Sequence, residues 1–232
     1  MNIHKAATRT KTLVALGALV FSSSAFCAPN LITNGSFEEP ALPAGSDYLI
    51  APVGSAFIPG WSVVGIEGKD VVIVDSAFDL PDGSGVHFWA AGGSQWIDLT
   101  GAGANTFEGV AQTLNLDPGL YSLGFSVGNI VTNIALGKQS TVSLWINGAQ
   151  VSTFTNSAGN STDVTWQPFT YTFTAAGLTT LEFYNGDSKR DTLSGLDEVF
   201  LTAITPVPEP SAASLILAGL ALMGFCCGKR RV

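Results

Sequence analysis

Cysteine, histidine and positive charge are all scarce in this 232-residue chain. Its three cysteines, Cys27, Cys226 and Cys227, lie at the two ends, so the body between them carries no thiol and no disulfide framework. Ten Lys and Arg stand against eighteen Asp and Glu, and six of the ten (positions 5, 9, 11, 229, 230 and 231) also belong to the ends. Between residues 29 and 205 only Lys69, Lys138, Lys189 and Arg190 remain, against seventeen acids, a formal net charge of −13. A surface so short of cations cannot displace counterions from a polyanion, which excludes nucleic acid and argues against anionic membrane surfaces as partners. His87 is the one histidine of that body. A nucleophilic triad therefore lacks its usual base, and there is no Gly-x-Ser-x-Gly elbow to carry the nucleophile. His87, in VHFWA, reads as a strand residue facing solvent or a satisfied neighbour. Two carboxylates alone can hydrolyse a glycoside, and seventeen acids leave that route open by spacing. With no recognisable constellation, no catalytic residue is assigned and the chain reads as a non-enzyme.

The ends themselves are apolar with basic flanks. Lys5, Arg9 and Lys11 precede the run LVALGALVF, too short to span a bilayer alone, and small residues follow. Residues 1–27 thus read as a secretory signal peptide cleaved between positions 25 and 28. At the other end Pro206, Pro208 and Pro210 stop regular structure, SAASLILAGLALMGFCC runs apolar, and Lys229, Arg230 and Arg231 close the chain. This is a stop-transfer pattern, with a transmembrane helix expected at about 211–227. Its basic side faces the cytoplasm, which leaves the body outside.

Pro208-Glu209-Pro210, the apolar stretch and the terminal Arg230-Arg231 together resemble the PEP-CTERM sorting signal, here over residues 206–232. The resemblance implies an exopolysaccharide-producing Gram-negative source and a transient inner-membrane stage. It also implies processing near Pro208 to Pro210 by an exosortase, after export by the secretion machinery. The mature body would then sit at the cell surface or in the extracellular matrix.

Residues 29–205 suit one domain, and period-two alternation dominates them. In TVSLWINGAQVSTF, Val142, Leu144 and Ile146 share a face, Asn147-Gly148 suits a type I′ turn, and Val151 lies in the returning strand. Phe169, Tyr171 and Phe173 alternate with threonines. Further strands are expected at 71–74, 86–89, 96–99, 110–116, 121–127, 180–184 and 198–203, with turns at Asp82-Gly83, Asp117-Pro118-Gly119 and Asn185-Gly186. Many short antiparallel strands predict an all-β, two-sheet β-sandwich, a jelly roll flanked by the N-terminal signal helix and the C-terminal transmembrane helix.

The order NLITNGSFEEP (30–40), Ile58-Pro59-Gly60-Trp61, Val71-Val72-Ile73, QWIDLTG (95–101), Gln112-Thr113, Pro118-Gly119-Leu120-Tyr121 and Gly195-Leu196-Asp197-Glu198-Val199 resembles the choice-of-anchor C family. That family is similar to the galactose-binding-like jelly rolls of carbohydrate-binding modules. Residues 79–93 depart from the pattern as a longer segment before the Trp96 strand.

Two kinds of site follow from the residues. Sugars are bound by aromatic faces with a few polar groups, which makes Trp89, Trp96, Trp145 and Trp166 the candidates, although large aromatics in a sandwich are more often core. Trp145 alternates opposite the Val142 face and is expected outward, whereas Trp61 is read as structural. Glu38, near the start of the fold, and Asp197 and Glu198, in its last strand, would meet if the end strands lie side by side. With backbone oxygens near Asn34 and Ser36 they would give the oxygen-rich site Ca²⁺ prefers. In the modules that the chain resembles, a structural Ca²⁺ joins these two regions. The expected function is a non-catalytic surface or matrix protein that associates with exopolysaccharide or another glycan. The alternatives are a purely structural or adhesive protein and a carbohydrate-active enzyme.

Overall fold

β-Branched and aromatic residues alternating with polar ones give nine strands: β1 Tyr48–Pro52, β2 Ser62–Gly65, β3 Asp70–Asp75, β4 Gln95–Asp98, β5 Glu108–Asn129, β6 Ser140–Ile146, β7 Ala149–Asn156, β8 Thr165–Asn185 and β9 Gly195–Ala203. The computed structural model describes residues 29–80, 85–102, 106–131, 138–159, 162–187 and 193–204. The expected signal segment, the sorting tail with Pro208, Glu209, Pro210, Arg230 and Arg231, and the Asp82-Gly83 turn lie outside them. Among the described residues no helix is long and apolar enough to cross a membrane.

All strand pairs are antiparallel, and the long β5/β8 ribbon organises them. The two strands pair along their whole length except for a register shift between Leu116 and Gly119. There the ribbon bends from one layer into the other. One layer runs β2-β5-β8-β6-β7, using the ribbon half near Val110 and Phe183, and the other runs β1-β3-β4-β9-β5-β8, using the half near Phe125 and Phe169. This is the expected all-β sandwich. Its core lies between the layers, where Val71, Ile73, Leu123, Phe125, Val142, Leu144, Leu181 and Phe183 are all buried. Asn147 and Gly148 both take positive φ (52° and 76°), the geometry expected of the type I′ hairpin between β6 and β7.

Three expectations change. Asp117-Pro118-Gly119 is no hairpin turn: the strands expected at 110–116 and 121–127 are one strand bent at a bulge, because both sides keep the same partner, β8. The strand expected at 86–89 shrinks to bridges at His87, which pairs with Asp79 and Asp163. Strands β1 and β2 were not expected, since their side chains alternate too weakly to mark them.

A second apolar layer lies outside the β3-β4 sheet. Val72, Val74 and Trp96 point away from the main core and pack with Val86, Phe88 and Val164. Residues 78–80 and 85–88 lie over them, held by Leu80 N–H to Val86 O (3.2 Å) and Phe88 N–H to Phe78 O (3.1 Å). They are fastened in turn by His87 N–H to Thr162 O (2.7 Å).

Candidate functional site

On β6 and β8 the side chains that do not enter the core form a face of their own. Leu181 and Phe183 point inward, so Glu182 and Tyr184 point outward, and across the ladder Trp145 lies opposite Glu182 and Ser143 opposite Tyr184. Phe107, just before β5, stacks on Tyr184 at 4.2 Å with an interplanar angle of 10°. Trp145 meets both rings edge-on, at 5.7 Å from Phe107 and 5.8 Å from Tyr184. Phe107 remains 41% exposed. The Trp145 indole Nε1 is enclosed and has no hydrogen-bond partner among the described residues. Burying an N–H without an acceptor is unfavourable, a local cost that the ring packing around Trp145 offsets. Beside it, desolvation pushes the Glu182 carboxyl up against a lowering hydrogen bond from the Gly148 backbone. Burial, then the charge of Glu182, push the Tyr184 phenol up.

The other expected tryptophans lie elsewhere. Trp96 is fully buried, with its N–H donated to Phe88 O (2.8 Å) and its ring edge against Trp166 (5.6 Å), so it offers no ring face to a sugar. That expectation is corrected: the outer face of β4 is itself covered by Phe78, Val86 and Phe88, and Trp96 belongs to the apolar layer they complete. Trp166 is half-buried and donates to Trp89 O (2.8 Å). Trp89 is 50% exposed, rests against the His87 ring at 5.5 Å and donates to Asp163 Oδ1 (3.3 Å). His87 Nδ1 contacts Asp79 Oδ1. Trp61 is buried as expected, its N–H donated to Asn34 O (2.9 Å).

Glu38, Asp197 and Glu198 each reach the segment 91–95. The N-terminal segment runs beside β9, with Leu31 N–H to Leu201 O (2.8 Å) and Val199 N–H to Gly35 O (2.9 Å). The positive φ of Glu198 (51°) accompanies a register shift of β9 against β5 that turns Asp197 toward residues 91–92. Asp197 Oδ2 accepts from Ala91 N–H (2.9 Å) and Gly92 N–H (3.1 Å), and Oδ1 from Glu198 N–H (2.7 Å). Glu38 Oε1 accepts from Ser94 N–H (2.8 Å) and Gln95 N–H (2.9 Å). A Cβ on Gly92 would lie 2.1 Å from Glu198 Oε1, and one on Gly93 2.3 Å from Glu38 Oε1, so the two glycines let both carboxylates close over them. Burial pushes Asp197 up to about 7, opposed by its backbone hydrogen bonds and reinforced by the Glu198 charge. Of the expected backbone oxygens, that of Asn34 is engaged by Trp61 and Phe37, and none of the described residues donates a hydrogen bond to the Ser36 carbonyl. Among the described residues no three His, Cys, Asp or Glu side chains gather at metal-binding spacing.

Sequence reasoning missed Phe107, Glu182, Tyr184 and the glycine pair. The alternation in TLEFYN already opposes Glu182 and Tyr184 to the core residues Leu181 and Phe183. Nothing local placed Phe107 on Tyr184, because that contact joins residues far apart in the chain.

Comparison with known proteins gives two family matches. A family model described as HpiC1 cyclase, HpiC1-like, matches residues 28–181, and one for the PEP-CTERM protein-sorting motif matches residues 206–231. The choice-of-anchor C likeness stands only as a likeness of motifs. No curated protein matches the sequence. Among solved structures, TmCBM61 in complex with β-1,4-galactotriose is similar at 16% identity and a TM-score of 0.43, covering 76% of this chain and 100% of that one. A family 35 carbohydrate-binding module from Clostridium thermocellum is similar at 13% identity and 0.38, covering 68% and 100%. The isomalto-dextranase of Arthrobacter globiformis T6 is similar at 16% and 0.40; the match covers 67% of this chain and only 23% of that enzyme.

Proposed function

This chain belongs to the HpiC1-like family, and from that premise and the sorting motif at its C-terminus we propose that it is an exported, non-catalytic β-sandwich that binds polysaccharide through the outer face of β6 and β8. One observation carries the reading. Phe107, Tyr184 and Trp145 form an aromatic patch with the Glu182 carboxyl beside it, the combination that holds a sugar ring by its face and its hydroxyls together. Export, passage through the inner membrane with the C-terminus in the cytoplasm and processing by an exosortase near Pro208 to Pro210 belong to the same proposal. So do residence at the cell surface or matrix and an exopolysaccharide as the physiological glycan.

Affinity electrophoresis in gels cast with neutral polysaccharides tests it. Trp145→Ala is expected to weaken retardation at least about tenfold, as loss of one stacking ring does. Trp89→Ala is expected to weaken it less, because that indole N–H is already spent on Asp163. Unchanged retardation of a folded Trp145→Ala protein would remove the face from consideration. The family description names a cyclase, which favours catalysis as the second reading. Release of reducing ends, or chemical change in a bound small molecule, would support it over the binding reading.

Calcium at Glu38, Asp197 and Glu198 is proposed with it. The three acids crowd one loop, and no cationic side chain among the described residues pairs with them. With only these side chains at hand, most of the six to eight oxygens of the ion would come from carbonyls and water. A rise in melting temperature with calcium that Glu38→Gln abolishes would support the site, and no rise at excess calcium would remove it.

A further inference from the structure

Residues 113–130, 165–181 and 199–204 carry one charged side chain between them, Asp117, in a body that otherwise holds sixteen acids and four cations. They meet where the ribbon bends and β9 ends beside it. There β5 lies between β8 and β9, with Leu120 opposite Thr174, Ser122 opposite Thr202 and Gly124 opposite Phe200. Leu123 and Leu201 enter the core, so the alternate side chains, Leu120, Ser122, Phe200 and Thr202, form the outer face of this layer. Phe200 lays its ring over Gly124, where a Cβ would come within 2.1 Å of it. Ile204 N–H donates to Leu120 O (2.8 Å), which carries the same alternation one step past β9. Across the bend Leu178 stands on the outer side too, since Thr179 next to it is buried. Leu120, Phe200 and Ile204 are all exposed, and Leu178, at 75%, is the most exposed large apolar side chain among the described residues.

We infer that this outer side of the bend rests on the lipid bilayer that holds the C-terminal tail, with Leu120, Leu178, Phe200 and Ile204 in its headgroup layer. The inference builds on the reading of residues 206–232 as a membrane anchor. The apolar stretch of that tail begins at Ser211, so at most about 25 Å of chain separates it from Ile204. Headgroups take up about 6 Å of that length, and a body of this size is about 40 Å across. The tether therefore holds the bend nearer the lipid than any other part of the sandwich. Apolar side chains leave water for the headgroup boundary favourably, whereas carboxylates do not. The distribution of charge agrees, because a body of −13 is repelled by anionic lipid and comes close only through a face nearly free of acids. Since β5 is paired on both sides here, its backbone brings no unsatisfied polar group to the lipid.

Depth-dependent fluorescence quenching tests it on the full chain, with Cys27, Cys226 and Cys227 replaced by serine, reconstituted in phosphatidylcholine vesicles. A fluorophore is attached at Leu178→Cys or at Ser157→Cys, an exposed position just past β7 at the end of the sandwich away from the bend. Lipids carrying a nitroxide near the headgroup are expected to quench the Leu178 label at least about twofold and to leave the Ser157 label unchanged. Leu120→Ser together with Ile204→Ser, both at exposed positions, is expected to bring the Leu178 label down to the level of the Ser157 label at a parental melting temperature. Phe200→Thr, which keeps a β-branched residue in the strand, is expected to act in the same direction. Flotation separates the two readings. A chain that does not float with the vesicles removes the anchor and this inference with it, whereas a chain that floats with neither label quenched overturns this inference alone. Quenching at Leu178 that all these variants leave unchanged would mean tethering without contact and would overturn it as well. So would self-quenching that follows protein density and not the nitroxide, which assigns the face to a second copy of the chain.

Discussion

Single residues decide how closely the elements of this sandwich approach. A Cβ on Gly35 would lie 1.9 Å from Val199 O, the region where the N-terminal segment crosses β9. The Val199 N–H to Gly35 O bond depends on that approach. Gly35→Ala is therefore expected to cost about 3 kcal/mol in urea unfolding and to loosen Glu38 from the Ser94 and Gln95 amides. Asp98 acts through its charge. Burial raises its carboxyl above the ordinary 3.8, against hydrogen bonds from Thr100 and Ser194, so the folded chain holds that proton more tightly than the unfolded chain does. The sign follows directly: what Asp98 adds to stability is greatest below the ordinary value and is lost as pH rises through the raised one. Urea unfolding of Asp98→Asn should match the parent in acid and exceed it by a margin that widens toward neutral pH. A constant margin would mean that Asp98 does not titrate in this window.

Among the elements, the β5/β8 ribbon carries most of the load because each of its halves serves a different layer. Phe125 stands in one half and touches Phe183 of the other layer at 5.2 Å, with Phe154 at 5.0 Å and Phe169 at 6.2 Å. Phe125→Ala removes a ring from all three contacts and is expected to cost about 3–5 kcal/mol, read as a lower urea midpoint with an unchanged slope. The strand over 121–127 was plain in the sequence, as was the Asn147-Gly148 hairpin, because both signals are local. The continuity of the ribbon was not. Asp117-Pro118-Gly119 has the composition of a turn, and only β8 on the far side of the bulge shows that the strand carries on. Trp96 was misjudged for a related reason: outward alternation from the core equals exposure only where nothing covers the sheet, and Phe78, Val86 and Phe88 cover it. The approach of Glu38 and Asp197 to one segment, 91–95, was legible because the first and last parts of such folds lie together. The pairing of Phe107 with Tyr184 was not, since their separation in sequence leaves no periodic trace.

The molecule as a whole is held together against its own charge. With −13 between residues 29 and 205, repulsion among carboxylates opposes the compact state. Sodium chloride raised from about 10 mM to about 300 mM is expected to raise the melting temperature by about 2–4 °C through screening. Glu38→Gln should leave that gain nearly intact while abolishing any further gain from calcium, which separates screening from a specific ion. A melting temperature indifferent to sodium chloride would mean that the acids are spaced too widely to matter. The routes by which the chain enters and leaves the sandwich are also set by its pairing. Leu31 bonds to Leu201, and three residues later Ile204 N–H bonds to Leu120 O, beside the bend of the ribbon. Entry and exit therefore share one corner, so the fold is indifferent to which of them is cut. A circular permutant joining the two by a short loop and opened at the exposed Asn147-Gly148 tip would keep every ladder described above.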